Sequence, residues 1–135
     1  MTIELKRAHP AATAQTIRIG KHTLTADMTI PEGGTDDGPS PHDLYDAALG
    51  ACKALTVLWY ANKKGIPIDD IRTTVTRDGS AEKSGVYRLD AILHVSGALT
   101  DEQIKELTTV AGKCPLHKLM TSVTTEITTA VERLP

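Results

Sequence analysis

Phenylalanine is absent from these 135 residues, and the whole aromatic set is Trp59, Tyr45, Tyr60 and Tyr87. So few rings make base stacking on a single-stranded nucleic acid a poor expectation. Fifteen Lys and Arg stand against seventeen Asp and Glu, for a formal net charge of −2 and a pI near 6.2, and no basic stripe offers a footing for phosphate backbones. No apolar run approaches the ~18 residues of a membrane span. The segment from Met1 to Pro10 alternates charge and apolarity and has no signal-peptide core. A soluble cytoplasmic protein, with no nucleic-acid or membrane partner, is expected. Only two cysteines occur, Cys52 and Cys114, and neither belongs to a C-x-x-C pair. That disfavours a thioredoxin-type motif and a ribbon-type zinc site. The five histidines (His9, His22, His42, His94, His117) are scattered without metal-ligand spacing, so no metal site is expected.

Apolar residues at 40% and charged residues at 24% describe an ordinary globular chain, and its length suits a single domain over 1–135. Nineteen threonines favour strands wherever they alternate with apolar residues. Strands are expected over 2–8, 14–20 and 22–30, the last two forming a hairpin about Gly20-Lys21, and again over 71–77 and 86–96. In the last of these, Tyr87, Leu89, Ala91, Leu93 and Val95 share one apolar face, which should lie on a core. Residues 124–131 read as a final strand.

Helix signals are local and strong. Ser40-Pro41-His42-Asp43 has the form of a capping box with Pro at the first helical position, opening a helix that ends near Lys64 before Gly65. Its apolar stripe is expected at Leu44, Ala48, Cys52, Leu55 and Trp59. Thr100-Asp101-Glu102-Gln103 opens a second helix ending near Gly112, and a short third one runs from Pro115 to about Ser122. The loop Pro31–Pro41 has no periodicity, and its paired aspartates make it a poor phosphate cradle. Strands and helices do not alternate as in βαβ units, so the fold class is α+β with antiparallel sheet. The first helix is long for so small a domain, and its spread of apolar residues asks for cover that dimerisation would supply.

Two residues could carry thiol chemistry. Cys52, mid-helix, reads either as a small buried hydrophobe or as a reactive thiol whose activation must come from neighbouring groups. Cys114 precedes Pro115 and so falls at a helix N-cap, where free N–H groups favour thiolate, with His117 three residues on. Asp43 reads first as a cap. His42 reads either as an exposed N-terminal residue or as a site residue, about 15 Å along the helix from Cys52.

Gly38-Pro39-Ser40-Pro41-His42-Asp43-Leu44 with Ala47-Ala48-Leu49-Gly50-Ala51-Cys52, and then Lys113-Cys114-Pro115-Leu116-His117-Lys118-Leu119, resemble the two cysteine motifs of the OsmC/Ohr family of osmotically inducible and organic-hydroperoxide-resistance proteins. The resemblance runs from about Ala14 to Val131. It implies an intertwined homodimer in which antiparallel sheets of both chains wrap the central helices, with sites near the subunit interface. It also implies a thiol peroxidase without metal or organic cofactor. In that scheme Cys52 attacks an organic hydroperoxide, Cys114 resolves the product as a disulfide, and a dithiol reductant restores both. The chain departs from the peroxidase branches at two points. They carry a glutamate ten residues before the first cysteine, where this chain has His42, and an arginine near that cysteine, whereas no arginine occurs here between Arg18 and Arg72. Arg18 of a partner chain is one candidate for that role. Two other functions fit the same residues: a non-catalytic protein binding a small apolar ligand, or a thiol enzyme of another type with His42 or His117 as base.

Overall fold

Reciprocal side-chain caps open the first two helices in a computed structural model that describes all residues from 1 to 135. Three strands, β1 (Ile3–Arg7), β2 (Gln15–Ile19) and β3 (His22–Ala26), precede the helix α1 (Pro41–Lys64). The strands β4 (Asp70–Asp78) and β5 (Arg88–Ser96) follow, then the helices α2 (Asp101–Ala111) and α3 (Pro115–Ser122). The fold is α+β with two antiparallel sheets, β1-β2-β3 and β4-β5. No helix is long and apolar enough to cross a membrane.

By its contacts the chain divides into two compact units, Met1–Ala48 with Val75–Ala91, and Leu49–Thr74 with Ile92–Pro135. In the first, β2 pairs with β1 and β3 in a register that sets Ile17 opposite Leu5 and Leu24. The loop after β3 is not a free linker. The buried Asp27 carboxylate draws it in by accepting from Thr13 Oγ1 (2.6 Å), the Met28 N–H (2.7 Å), Thr35 Oγ1 (2.8 Å) and the Thr35 and Asp37 N–H groups (3.3 and 3.1 Å). The glycines here are steric: a Cβ on Gly34 would lie 2.2 Å from the Met28 carbonyl oxygen, and one on Gly38 2.6 Å from that of Thr25. No side chain fits where backbone passes backbone so closely.

In the second unit the core is Val57, Ala61, Ile66 and Leu107, joined by Tyr60, Ile68, Ile71, Leu93, Leu99 and Ala111. Along β5 exposure alternates as expected, with Leu89, Ala91, Leu93 and Val95 on the more covered face. The α2 cap is reciprocal: Thr100 Oγ1 accepts from the Gln103 N–H (3.1 Å) while Gln103 Oε1 accepts from the Thr100 N–H (2.9 Å).

Two expectations are overturned. The covered face of α1 is Asp46, Leu49, Gly50, Lys53, Val57 and Ala61, whereas Leu55 and Trp59 of the expected stripe are 65% and 62% exposed. Apolar residues lie on both sides of this helix, and the covered side is the one carrying two ionisable groups with partners. Residues 124–131 form no strand, because a strand needs a neighbour to share its N–H and C=O groups and this stretch has none within the chain.

Hydrogen bonds from Thr13, Asp37, Met28 and Thr35 outweigh burial and hold the Asp27 carboxyl far below the usual carboxylate range. A carboxyl lowered on folding stabilises the folded state above its unfolded pKa, near 3.9, and the contribution fades as pH falls through the folded value. Asp27→Asn is therefore expected to lower Tm most above about pH 5. Thermal melts from pH 7 to pH 2.5 should show the variant and wild type converging on the acid side; parallel curves would remove this role from Asp27.

Candidate functional site

Cys52 lies midway along α1 and is partly exposed, while Cys114 is 0% exposed; both thiols are free and fall in the second compact unit. Cys114 is the N-cap residue of α3, with Pro115 at the first helical position as the sequence indicates. Its sulfur makes no capping hydrogen bond, so the expected contact with free N–H groups is not formed.

Between the two cysteine motifs stands Lys53, 8% exposed. Its Nζ donates to the Ala111 carbonyl oxygen (2.9 Å) and lies 3.0 Å from His117 Nδ1. An ammonium has only donors, so Nδ1 accepts and the neutral imidazole carries its proton on Nε2. His117 thus accepts from Lys53 through Nδ1.

His42 and Asp43 belong to the other unit, where they do different work. Asp43 closes the α1 cap: its Oδ2 accepts from the Ser40 N–H (3.0 Å), and Ser40 Oγ accepts from the Asp43 N–H (3.1 Å). It also pairs with Arg77, which donates through Nε to Asp46 Oδ2 (2.6 Å). Tyr87 adds its hydroxyl to both Asp46 oxygens, at 2.8 and 3.0 Å. The Ser40 N–H and then Arg77 lower the Asp43 pKa, and the two aspartates, Asp43 first, raise that of Arg77. Burial, then the bond to Asp46, raises the Tyr87 phenol. His42 Nε2 sits 2.8 Å from Glu82 Oε1, exposed, with its ring edge-on to Tyr87 at 5.9 Å. Pro41, His42, Tyr45, Glu82 and Tyr87 line a cleft of about 390 Å³.

The structure thus puts the two cysteines in one unit and His42 with Asp43 in the other. Sequence reasoning does not single out Lys53, Asp46, Arg77 or Tyr87. Lys53 carries a readable signal, as a lone charge inside the apolar stretch from Ala47 to Ala61. Arg77 carries none, being one charge among several near the end of a strand. No group of three or more His, Cys, Asp or Glu is placed to hold a metal ion.

A family model described as OsmC-like protein matches residues 34–129. No curated protein sequence matches the chain. Among solved structures, the OsmC-like protein of Mycoplasma pneumoniae is similar at TM-score 0.71 and 20% identity, over 90% of this chain and 87% of that one. The organic hydroperoxide resistance protein OsmC of Legionella pneumophila is similar at 0.64 and 22%, over 90% of each chain. OhrB, the organic hydroperoxide resistance protein of Bacillus subtilis, gives 0.58 and 24%, over 90% of this chain and 92% of that one.

Replacing the Tyr87 hydroxyl removes a hydrogen bond to a charged, buried partner, a loss of about 2 kcal/mol. Tyr87→Phe is expected to destabilise by that amount in urea unfolding while leaving the alkylation rate of the partly exposed Cys52 within twofold of wild type. A larger change at Cys52 under conditions where the variant stays folded would show that the Asp46 cluster acts on that thiol.

Proposed function

This chain belongs to the OsmC-like family, and from that premise we propose that it is a thiol-dependent peroxidase acting on organic hydroperoxides in stress defence. The observation that carries the reading is the unequal exposure of its two thiols. Cys52 is partly exposed and so within reach of an incoming molecule, whereas Cys114 is fully enclosed and suited to meeting a sulfur of its own chain. The Cys52 thiolate attacks the distal peroxide oxygen and the O–O bond breaks. The alkoxide takes up a proton and leaves as the alcohol, and Cys52 becomes a sulfenic acid. The Cys114 thiol attacks that sulfur, forming the S–S bond and releasing the hydroxyl with the thiol proton as water. A dithiol donor then reduces the disulfide by exchange and is itself oxidised. Two of the similar structures are of proteins named for organic hydroperoxide resistance, which supports this substrate class. The reading goes with a reducing cytosol, where two lone thiols stay available.

The same reading includes a homodimer. Leu55, Leu58 and Trp59 leave an apolar face of α1 open, and the threonine-rich 124–131 stretch has unpaired backbone that a second copy can pair. A second reading, binding of a small ligand without turnover, is favoured by the cleft at Tyr45 and Tyr87.

In stopped-flow mixing with an organic hydroperoxide, the reduced protein is expected to oxidise rapidly, and Cys52→Ser to abolish the fast phase. Cys114→Ser should keep that phase and leave a sulfenic acid at Cys52, seen by mass spectrometry. Slow oxidation indifferent to either substitution would end the peroxidase reading and leave the ligand-binding one. In sedimentation equilibrium the wild type should weigh twice its 14.5 kDa chain mass. Leu55→Glu with Trp59→Glu should give the monomer, and a monomeric wild type would remove the dimer.

A further inference from the structure

We propose that Lys53 is a positioning residue that holds Cys114 where it can resolve oxidised Cys52, an inference that rests on the peroxidase reading. The geometry is that of a clamp. Ala111, which ends α2, precedes Cys114 by three residues, and His117, in the first turn of α3, follows it by three. Lys53 takes hold of both, through the Ala111 carbonyl oxygen at 2.9 Å and His117 Nδ1 at 3.0 Å. These two are the hydrogen bonds that join α1 to residues 111–117; the others made by this turn are local to it. Lys53 is also the covalent neighbour of Cys52. A single side chain therefore connects the backbone bearing one thiol to both flanks of the other.

Burial makes the clamp stiff. At 8% exposure the ammonium has little water to turn to, so releasing either acceptor leaves a buried donor unmatched. The cysteine cannot supply the restraint itself, since its side chain makes no capping bond to α3. Resolution joins the Cys114 sulfur to the Cys52 sulfur, breaks the S–O bond of the sulfenic acid and releases water. A disulfide admits only a narrow range of Cα separations, about 4.4–6.8 Å. The proposal requires the clamped turn to hold Cys114 near that geometry, so that the effective concentration of one thiol at the other exceeds that of a free turn.

The test uses the full chain equilibrated in glutathione redox buffers, with disulfide counted by mass spectrometry. Lys53→Met keeps an unbranched stem, one atom shorter, and removes the donors. It is expected to lower the effective concentration of the thiol pair about tenfold, which makes the potential about 30 mV more oxidising for this two-electron couple. After one equivalent of cumene hydroperoxide, dimedone should trap more Cys52 sulfenic acid in the variant than in wild type. His117→Ala should shift the potential in the same direction by less. His117→Asn, whose Oδ1 can take the place of Nδ1 as acceptor, should restore it. The His117 pair decides the matter alone if Lys53→Met does not fold. Unchanged potentials in Lys53→Met and His117→Ala overturn the clamp and leave the peroxidase reading standing. A wild type that forms no Cys52–Cys114 disulfide overturns both.

Discussion

Two ionisable side chains on the covered face of one helix constrain the rest of the structure. Asp46 and Lys53 lie seven residues apart on α1, 6% and 8% exposed, and neither can be left without partners so far from water. Asp46 is met by Arg77 and Tyr87 from the β4–β5 region, and Lys53 by Ala111 and His117 from the helical turn. No buried side-chain nitrogen or oxygen is left unsatisfied. Apolar contacts such as Val57 against Leu107 supply attraction without much direction. The polar contacts settle which residues meet, because misplacing them strands a charge.

Local chemistry was legible in the chain and long-range pairing was not. Ser40 with Asp43 and Thr100 with Gln103 announce their helices within four residues, and the caps form as the pattern implies. The β5 alternation and the Cys114-Pro115 helix start are local in the same way. The covered face of α1 defeats a hydrophobic count because it holds an aspartate and a lysine, while leucines and a tryptophan occupy the open side. Partners for those charges lie at residues 77, 87, 111 and 117, and nothing near 46 or 53 points to them. The 124–131 stretch has strand-forming side chains, but a strand also needs an adjacent backbone, which a propensity does not reveal.

The cysteine motifs illustrate the same division. Both cysteine motifs were readable as motifs, and the two cysteines fall in one compact unit. Which thiol meets the outside is a matter of burial, and no residue beside Cys114 in the sequence announces that it is enclosed. His42, the position where the resemblance places a glutamate, faces Glu82 and Tyr87 instead, on the wall of the Tyr45 cleft.

The departure at the arginine has a physical counterpart. Arg77 donates to Asp43 and Asp46, and Asp43 in turn is held by the Ser40 cap, so this carboxylate–arginine group secures the start of α1. Moving the guanidinium away would strand the buried Asp46. The buried cation in the unit that holds the cysteines is instead Lys53, one residue from Cys52. Its ammonium is a compact charge on a flexible stem, suited to gripping a carbonyl and an imidazole at once but not to the planar two-point contact an arginine offers. On the proposed peroxidase reading, resolution would depend on how firmly the Cys114 turn is held, and Lys53 is the side chain that ties α1 to that turn.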